Sequence, residues 1–223
     1  MGTMVDEDIV ISGMSGRFPQ ADDVVAFKEK LYAGVDMVTD DEARWPRGLL
    51  GLPGHMGTIR DLTRFDAQFF STPPRQADVM DPQLRLLLET TYEAIVDAGY
   101  DPATLRGKKV GVFVGSIANE MGSALYADPD KADGYVRLGT TFCSFSNRLS
   151  YCFDFRGPSL TVITACSSSM TALNQAVLAL RTGQCEAAIV GGANVLLSPT
   201  TTLMFVRLGT LSTRGKCRTF DAE

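Results

Sequence analysis

Histidine is almost missing: among 223 residues only His55 is present. A metal site of the H-E-x-x-H kind, or any mechanism that needs two imidazoles, is therefore excluded for this chain alone. Cysteine occurs in an odd number, at 143, 152, 166, 185 and 217, with no C-x-x-C pair. That argues against a disulfide framework and a structural zinc site, and a reducing cytoplasmic setting is expected. No apolar run approaches the about 20 residues that span a bilayer. The acidic start, Met1 to Val10, lacks the basic and apolar pattern of a secretory signal. Lys plus Arg comes to 21 against 26 for Asp plus Glu, and a net charge of -5 offers no footprint for nucleic acid or anionic lipid. G-x-S-x-G, G-x-G-x-x-G and G-x-x-x-x-G-K-[ST] are also absent, which removes the commonest serine-hydrolase and phosphate-loop signals.

What remains is an ordinary globular composition, 45% hydrophobic and 21% charged. Asp8 to Ser12 reads as a short buried strand, followed by a loop through Gly16 and Pro19. A helix is expected at about Val24 to Ala33, stopped by Gly34. Residues 36–57, with Asp40-Asp41-Glu42, Trp45-Pro46, Pro53 and Gly54, read as an irregular surface excursion whose acidic run is solvated. Asp81-Pro82 opens the clearest helix: Asp caps, Pro suits the first position, and Leu84, Leu87, Leu88, Thr91 and Ile95 share one face until Gly99. Val110 to Val114, bounded by Gly115-Ser116, is an interior strand. A helical stretch around Thr140 to Tyr151 precedes Gly157-Pro158.

The last third carries the functional signal. Ser159 to Ile163 reads as a strand, Thr164-Ala165-Cys166 as a sharp junction, Ser167 to Thr182 as a helix closed by Gly183, and Ala187 to Val190 as a strand ending in Gly191-Gly192. Strand, helix and strand in close succession imply a crossover and a largely parallel sheet, hence the α/β class. Ser167 to Leu180 contains no charged residue, and its apolar members wrap around more than one face. Such a helix is expected to be covered on several sides.

Cys166 stands where that strand meets the helix N-terminus, where free backbone N–H groups and the positive end of the dipole favour a thiolate. Its own amide stands where an oxyanion would develop on an attacked thioester. The dipole supplies only roughly 0.3–1 kcal/mol, enough for a nucleophile but no general acid or base. The same position also suits a merely packed cysteine. Cys143, Cys152 and Cys185 lie in apolar or small-residue surroundings and Cys217 between basic residues, so these four read as structural. His55 reads as a surface or satisfied histidine, and Gly191-Gly192 as close packing at a strand end.

Several segments together resemble the β-ketoacyl synthase, or condensing-enzyme, family, specifically the ketosynthase domain of animal-type fatty acid synthases and the related polyketide synthases. They are Ile11 to Pro19, Met80 to Arg85, Asn147 to Tyr151, Phe155 to Ser159, Thr164-Ala165-Cys166-Ser167-Ser168-Ser169, and Cys217 to Asp221, in that order. The stretch from Arg60 to Gly99, with Phe65-Asp66 and Glu93 to Asp97, leans towards the animal fatty acid synthase.

The resemblance implies a thiolase-like fold with layers α/β/α/β/α, of which residues 1–223 would form the N-terminal, nucleophile-bearing half. It implies that Cys166 accepts an acyl chain from the phosphopantetheine arm of acyl carrier protein, and that a malonyl thioester is then decarboxylated and condensed onto it. The family's two histidines, its accessory lysine and its second oxyanion amide lie in a C-terminal half beyond residue 223, so self-acylation is the most this segment is expected to perform. A homodimer is expected of the complete domain, and no bound cofactor or metal of this segment. The chain departs from the family at Ile163 and Arg214, where Asp is usual; Ile163 bears on local hydrogen bonding and dimer geometry. Two rivals stand beside this reading: a non-catalytic fragment kept for interaction or dimerisation, and a cysteine hydrolase whose base would have to be His55.

Overall fold

The computed structural model describes residues 8–130, 133–212 and 214–221. In chain order the elements are α1 (Val24–Tyr32), β1 (Thr39–Asp40), β2 (His55–Met56), α2 (Pro74–Asp78), α3 (Pro82–Asp97), β3 (Val110–Ser116), α4 (Glu120–Tyr126) and α5 (Gly134–Thr140). There follow α6 (Ser144–Phe153), β4 (Ser159–Val162), α7 (Ser168–Arg181), β5 (Ala187–Ala193) and α8 (Pro199–Arg207). The chain divides into two compact units, one of Leu62–Val195 with the segment up to Ser15, the other of Gly16–Asp61 with the residues from Leu196 onward.

The first unit is built on a parallel sheet of order β4-β3-β5. β3 is central, with Val112 opposite Ser159 on one side and Ile189 on the other, and all seven of its residues are buried. Side chains alternate across a strand. Phe113 accordingly packs with Ala172, Ala176, Ala179 and Cys185, on the face that α7 covers. Val110, Val112 and Val114 face the other way, into a cluster with Leu84, Leu88 and Ile95 of α3 and Phe145 and Leu149 of α6. Leu84, Leu88, Phe145 and Leu149 are fully buried, each contributing about 1.5–3 kcal/mol.

α3 forms as its sequence predicts. Asp81 Oδ1 accepts from the Gln83 amide at 2.8 Å, Pro82 takes the first position, and Gly99 follows the helix in the left-handed region at φ 79°. Gln83 then ties the ends of two strands together: its Nε2 donates to the Ala118 carbonyl at 2.9 Å and its Oε1 accepts from the Val195 amide at 3.3 Å.

Four expectations need correction. Asp8 to Ser12 is not a strand and is exposed, because no described strand offers it a ladder partner. The helix expected around Thr140 to Tyr151 is α6, which starts only at Ser144, because α5 ends at Thr140 and Thr141 to Cys143 separate the two. β5 continues through Gly191-Gly192 to Ala193. α7 is covered on one face only: Ala172, Ala176 and Ala179 are buried, whereas Met170, Leu173 and Leu178 stand exposed. These side chains stay exposed among the described residues, whose sheets are the three-stranded β4-β3-β5 and the two-stranded β1-β2.

The second unit holds α1, α8 and the β1–β2 ladder, in which Thr39 pairs with Met56 and Asp40 with His55. Within residues 36–57 Trp45 and Leu52 are buried, while Asp40, Asp41 and Glu42 are exposed. No helix among the described residues is long and apolar enough to cross a membrane.

Candidate active site

β4 leaves the sheet at Ile163, and the chain reverses within four residues before α7 begins. Ala165 makes the reversal with φ 55°, a left-handed conformation that costs a non-glycine residue on the order of 1 kcal/mol. Hydroxyl groups hold it there. The Thr164 amide donates to Ser168 Oγ at 2.9 Å, and Ser168 Oγ donates to the Ala165 carbonyl at 2.7 Å. Ser167 Oγ donates to the Thr164 carbonyl at 2.7 Å, and Thr164 Oγ1 donates to Thr171 Oγ1 at 3.1 Å. Ile163 adds no hydrogen bond to this set and its side chain is exposed.

Cys166 sits in the 3-10 turn Ala165–Ser167, just ahead of α7, with its side chain exposed. Its amide makes no hydrogen bond to the described residues. Near a helix N-terminus, an unbonded N–H and the positive dipole end both favour negative charge. The position thus combines an accessible sulfur with a free donor on the same residue. No titratable side chain takes part in the hydrogen bonds of the turn, so a general base has to come from elsewhere.

The sheet approaches the turn closely. A Cβ on Gly115 would lie 2.5 Å from the Ser168 carbonyl carbon and from the Ser169 amide nitrogen, and one on Gly192 would lie 3.0 Å from Ser169 Cβ. Glycine at 115 lets the backbone of β3 pass against the first peptide of α7. The Gly-Gly pair of β5 is close packing, with no phosphate-loop geometry.

The other cysteines differ from Cys166. Cys185 is buried and Cys152 half-buried, and burial pushes both thiols up, away from the reactive thiolate. Cys143 is exposed ahead of α6, not in the packed surroundings expected, because α5 and α6 are separate helices and it falls in the break; Cys217 is exposed too. His55 is exposed on β2 and belongs to the other compact unit. Arg214 is exposed as well, its amide donating to Ser212 Oγ at 3.2 Å. Among the described residues no group of three or more His, Cys, Asp and Glu is placed to hold a metal ion.

Sequence reasoning singled out Cys166 but not Ser168, Thr164 or Thr171, whose hydroxyls shape its turn. It read Gly115 only as a strand boundary.

The model of the β-ketoacyl synthase N-terminal domain matches residues 6–223. A fatty acid synthase of Anser anser anser is 52% identical over 217 residues, 97% of this chain and 62% of that sequence. Polyketide synthase GfsE of Streptomyces halstedii is 40% identical over 99% of this chain and 6% of its own length. Among solved structures, the oxazolomycin ketosynthase domain OzmH KS7 of Streptomyces albus JA3453 superposes with a TM-score of 0.87 at 37% identity, over 96% of this chain and 39% of that one. The ketosynthase from module 6 of the bacillaene synthase of Bacillus subtilis 168 gives 0.83 at 35% identity, over 94% of this chain and 35% of its own. The chain thus spans less than two thirds of each of these relatives.

Proposed function

The chain belongs to the β-ketoacyl synthase family, with the thiolase-like α/β fold of its ketosynthase relatives, and we propose that Cys166 is the residue on which it carries an acyl group. One observation carries this reading: an exposed cysteine with an unbonded amide, on a strained strand-to-helix turn that side-chain hydroxyls hold in place.

The substrate is an acyl thioester borne on the phosphopantetheine arm of an acyl carrier protein. The Cys166 thiolate attacks the carbonyl carbon, a C–S bond forms, and the oxyanion of the tetrahedral intermediate accepts from the Cys166 N–H. Collapse breaks the bond to the pantetheine sulfur, which leaves as a thiolate and takes up the proton lost by Cys166. Decarboxylation of a malonyl thioester and condensation onto the bound acyl group complete the family's cycle. The two histidines, the lysine and the second oxyanion donor that the resemblance requires for those steps have no counterpart in these 223 residues. The complete domain acts as a homodimer in a reducing, cytoplasmic compartment, and this segment brings no cofactor of its own.

A second reading, a non-catalytic fragment that works by association, draws on the bare Met170, Leu173 and Leu178 of α7. Single-turnover transfer from a short-chain acyl-pantetheine thioester separates the two. One equivalent of pantetheine thiol released per wild-type chain and none from Cys166→Ala supports the acyl acceptor. No release supports the associating fragment, and release continuing beyond one equivalent points to a hydrolase.

A further inference from the structure

We propose that Ser168 is a positioning residue: its hydroxyl fixes the Ala165–Cys166 peptide so that the Cys166 N–H faces away from α7, ready to donate to the oxyanion. This rests on the reading of Cys166 as acyl acceptor. The carbonyl of Ala165 and the amide of Cys166 belong to one peptide plane, and in a trans peptide they point in opposite directions. Two donors from one residue hold that carbonyl, the Ser168 backbone N–H and the Ser168 hydroxyl at 2.7 Å. With the carbonyl drawn towards the start of the helix, the N–H of the same plane is turned outward.

Ser168 also accepts from the Thr164 amide at 2.9 Å, so one hydroxyl bridges both ends of the strained Ala165. At 4% exposure the residue is nearly closed to solvent, so these bonds face little competition from water. Helix capping does not account for it, since α7 has no side-chain cap. The neighbouring serine acts elsewhere: Ser167 Oγ binds the Thr164 carbonyl and Thr164 Oγ1, one peptide upstream of the Cys166 amide. The two adjacent hydroxyls are therefore assigned different effects.

The test compares two reactions of Cys166 in the full chain. Acylation by an acyl-pantetheine thioester passes through an oxyanion; alkylation by iodoacetamide needs the same thiolate and the same access but no oxyanion. Buried Cys185 reports folding in the same samples by staying unlabelled. Losing one preorganised oxyanion donor costs roughly 100- to 1,000-fold, so misdirecting it should cost about tenfold or more. Ser168→Ala is expected to lower acylation by at least that factor while Cys166 alkylates at the wild-type rate and Cys185 stays protected. Ser167→Ala is expected to keep the wild-type ratio of the two rates. The proposal is overturned if Ser168→Ala acylates normally, if both rates fall together, if Cys185 becomes reactive in that variant, or if Ser167→Ala lowers the ratio as much. A wild-type chain that alkylates at Cys166 but never acylates sinks the acyl-acceptor reading itself, and this inference with it.

Discussion

At the residue scale the turn around Cys166 depends as much on what is missing from a neighbour as on the thiol. Gly115 has no side chain, and any Cβ there would meet the Ser168–Ser169 peptide at 2.5 Å, a separation that forces backbone to move. Gly115→Ala is expected to shift the first turn of α7 and destabilise the fold by about 1–3 kcal/mol, as overpacking does. Urea unfolding measures the loss, and acyl transfer at Cys166 should fall with it; unchanged stability would show that the approach is looser than described. The place of Cys166 at a strand-to-helix junction was legible from the sequence because a β-branched strand, a sharp junction and an uncharged helical run follow one another without a gap. The role of Ser168 was not legible. Three consecutive serines offer equivalent hydroxyls, and only the left-handed Ala165 decides which of them reaches back to which carbonyl.

At the scale of elements, α3 shows how far local chemistry reaches. Its cap, its proline, its apolar face and its terminal glycine are all written in the sequence, and the helix spans the residues they mark. Its cap also carries a pH dependence that sequence alone does not show. Asp81 is fully buried, Oδ2 has no partner, and burial pushes the carboxyl above its ordinary value of 3.8, although the Gln83 amide pulls it down. A folded state that holds this proton more tightly than the unfolded chain keeps the full contribution below that ordinary value. It loses the contribution as pH rises through the higher folded value. Asp81→Asn keeps a capping oxygen without the charge. Thermal melts are therefore expected to shift in favour of Asp81→Asn as pH rises above the ordinary carboxylate value; a constant difference would refute the assignment. Other elements escaped sequence reading for physical reasons. Asp8 to Ser12 has the composition of a strand, but composition supplies no ladder partner. α4 and α5 are each a helix of seven residues, too short to display a period.

At the scale of the whole molecule, the α/β class and the parallel pairing were legible because β4, α7 and β5 form one strand-helix-strand unit. The uncharged run from Ser168 to Leu180 of α7 leads to the expectation of a helix covered on several sides. Yet the described residues supply only one of the covers that composition calls for, and Met170, Leu173 and Leu178 are left bare. The chain spans 62% of the matched fatty acid synthase and 39% of the matched oxazolomycin ketosynthase domain. On the proposed reading, the chemistry these residues carry is the transfer of an acyl group to one sulfur. Trypsin places each of the five cysteines on a different peptide, and Cys166 is the sole cysteine between Arg156 and Arg181. After one incubation with an acyl-pantetheine thioester, mass spectrometry should find one acyl group on the Gly157 to Arg181 peptide and none on the other four. Acyl groups spread over the exposed cysteines, or absent from that peptide, would contradict the account.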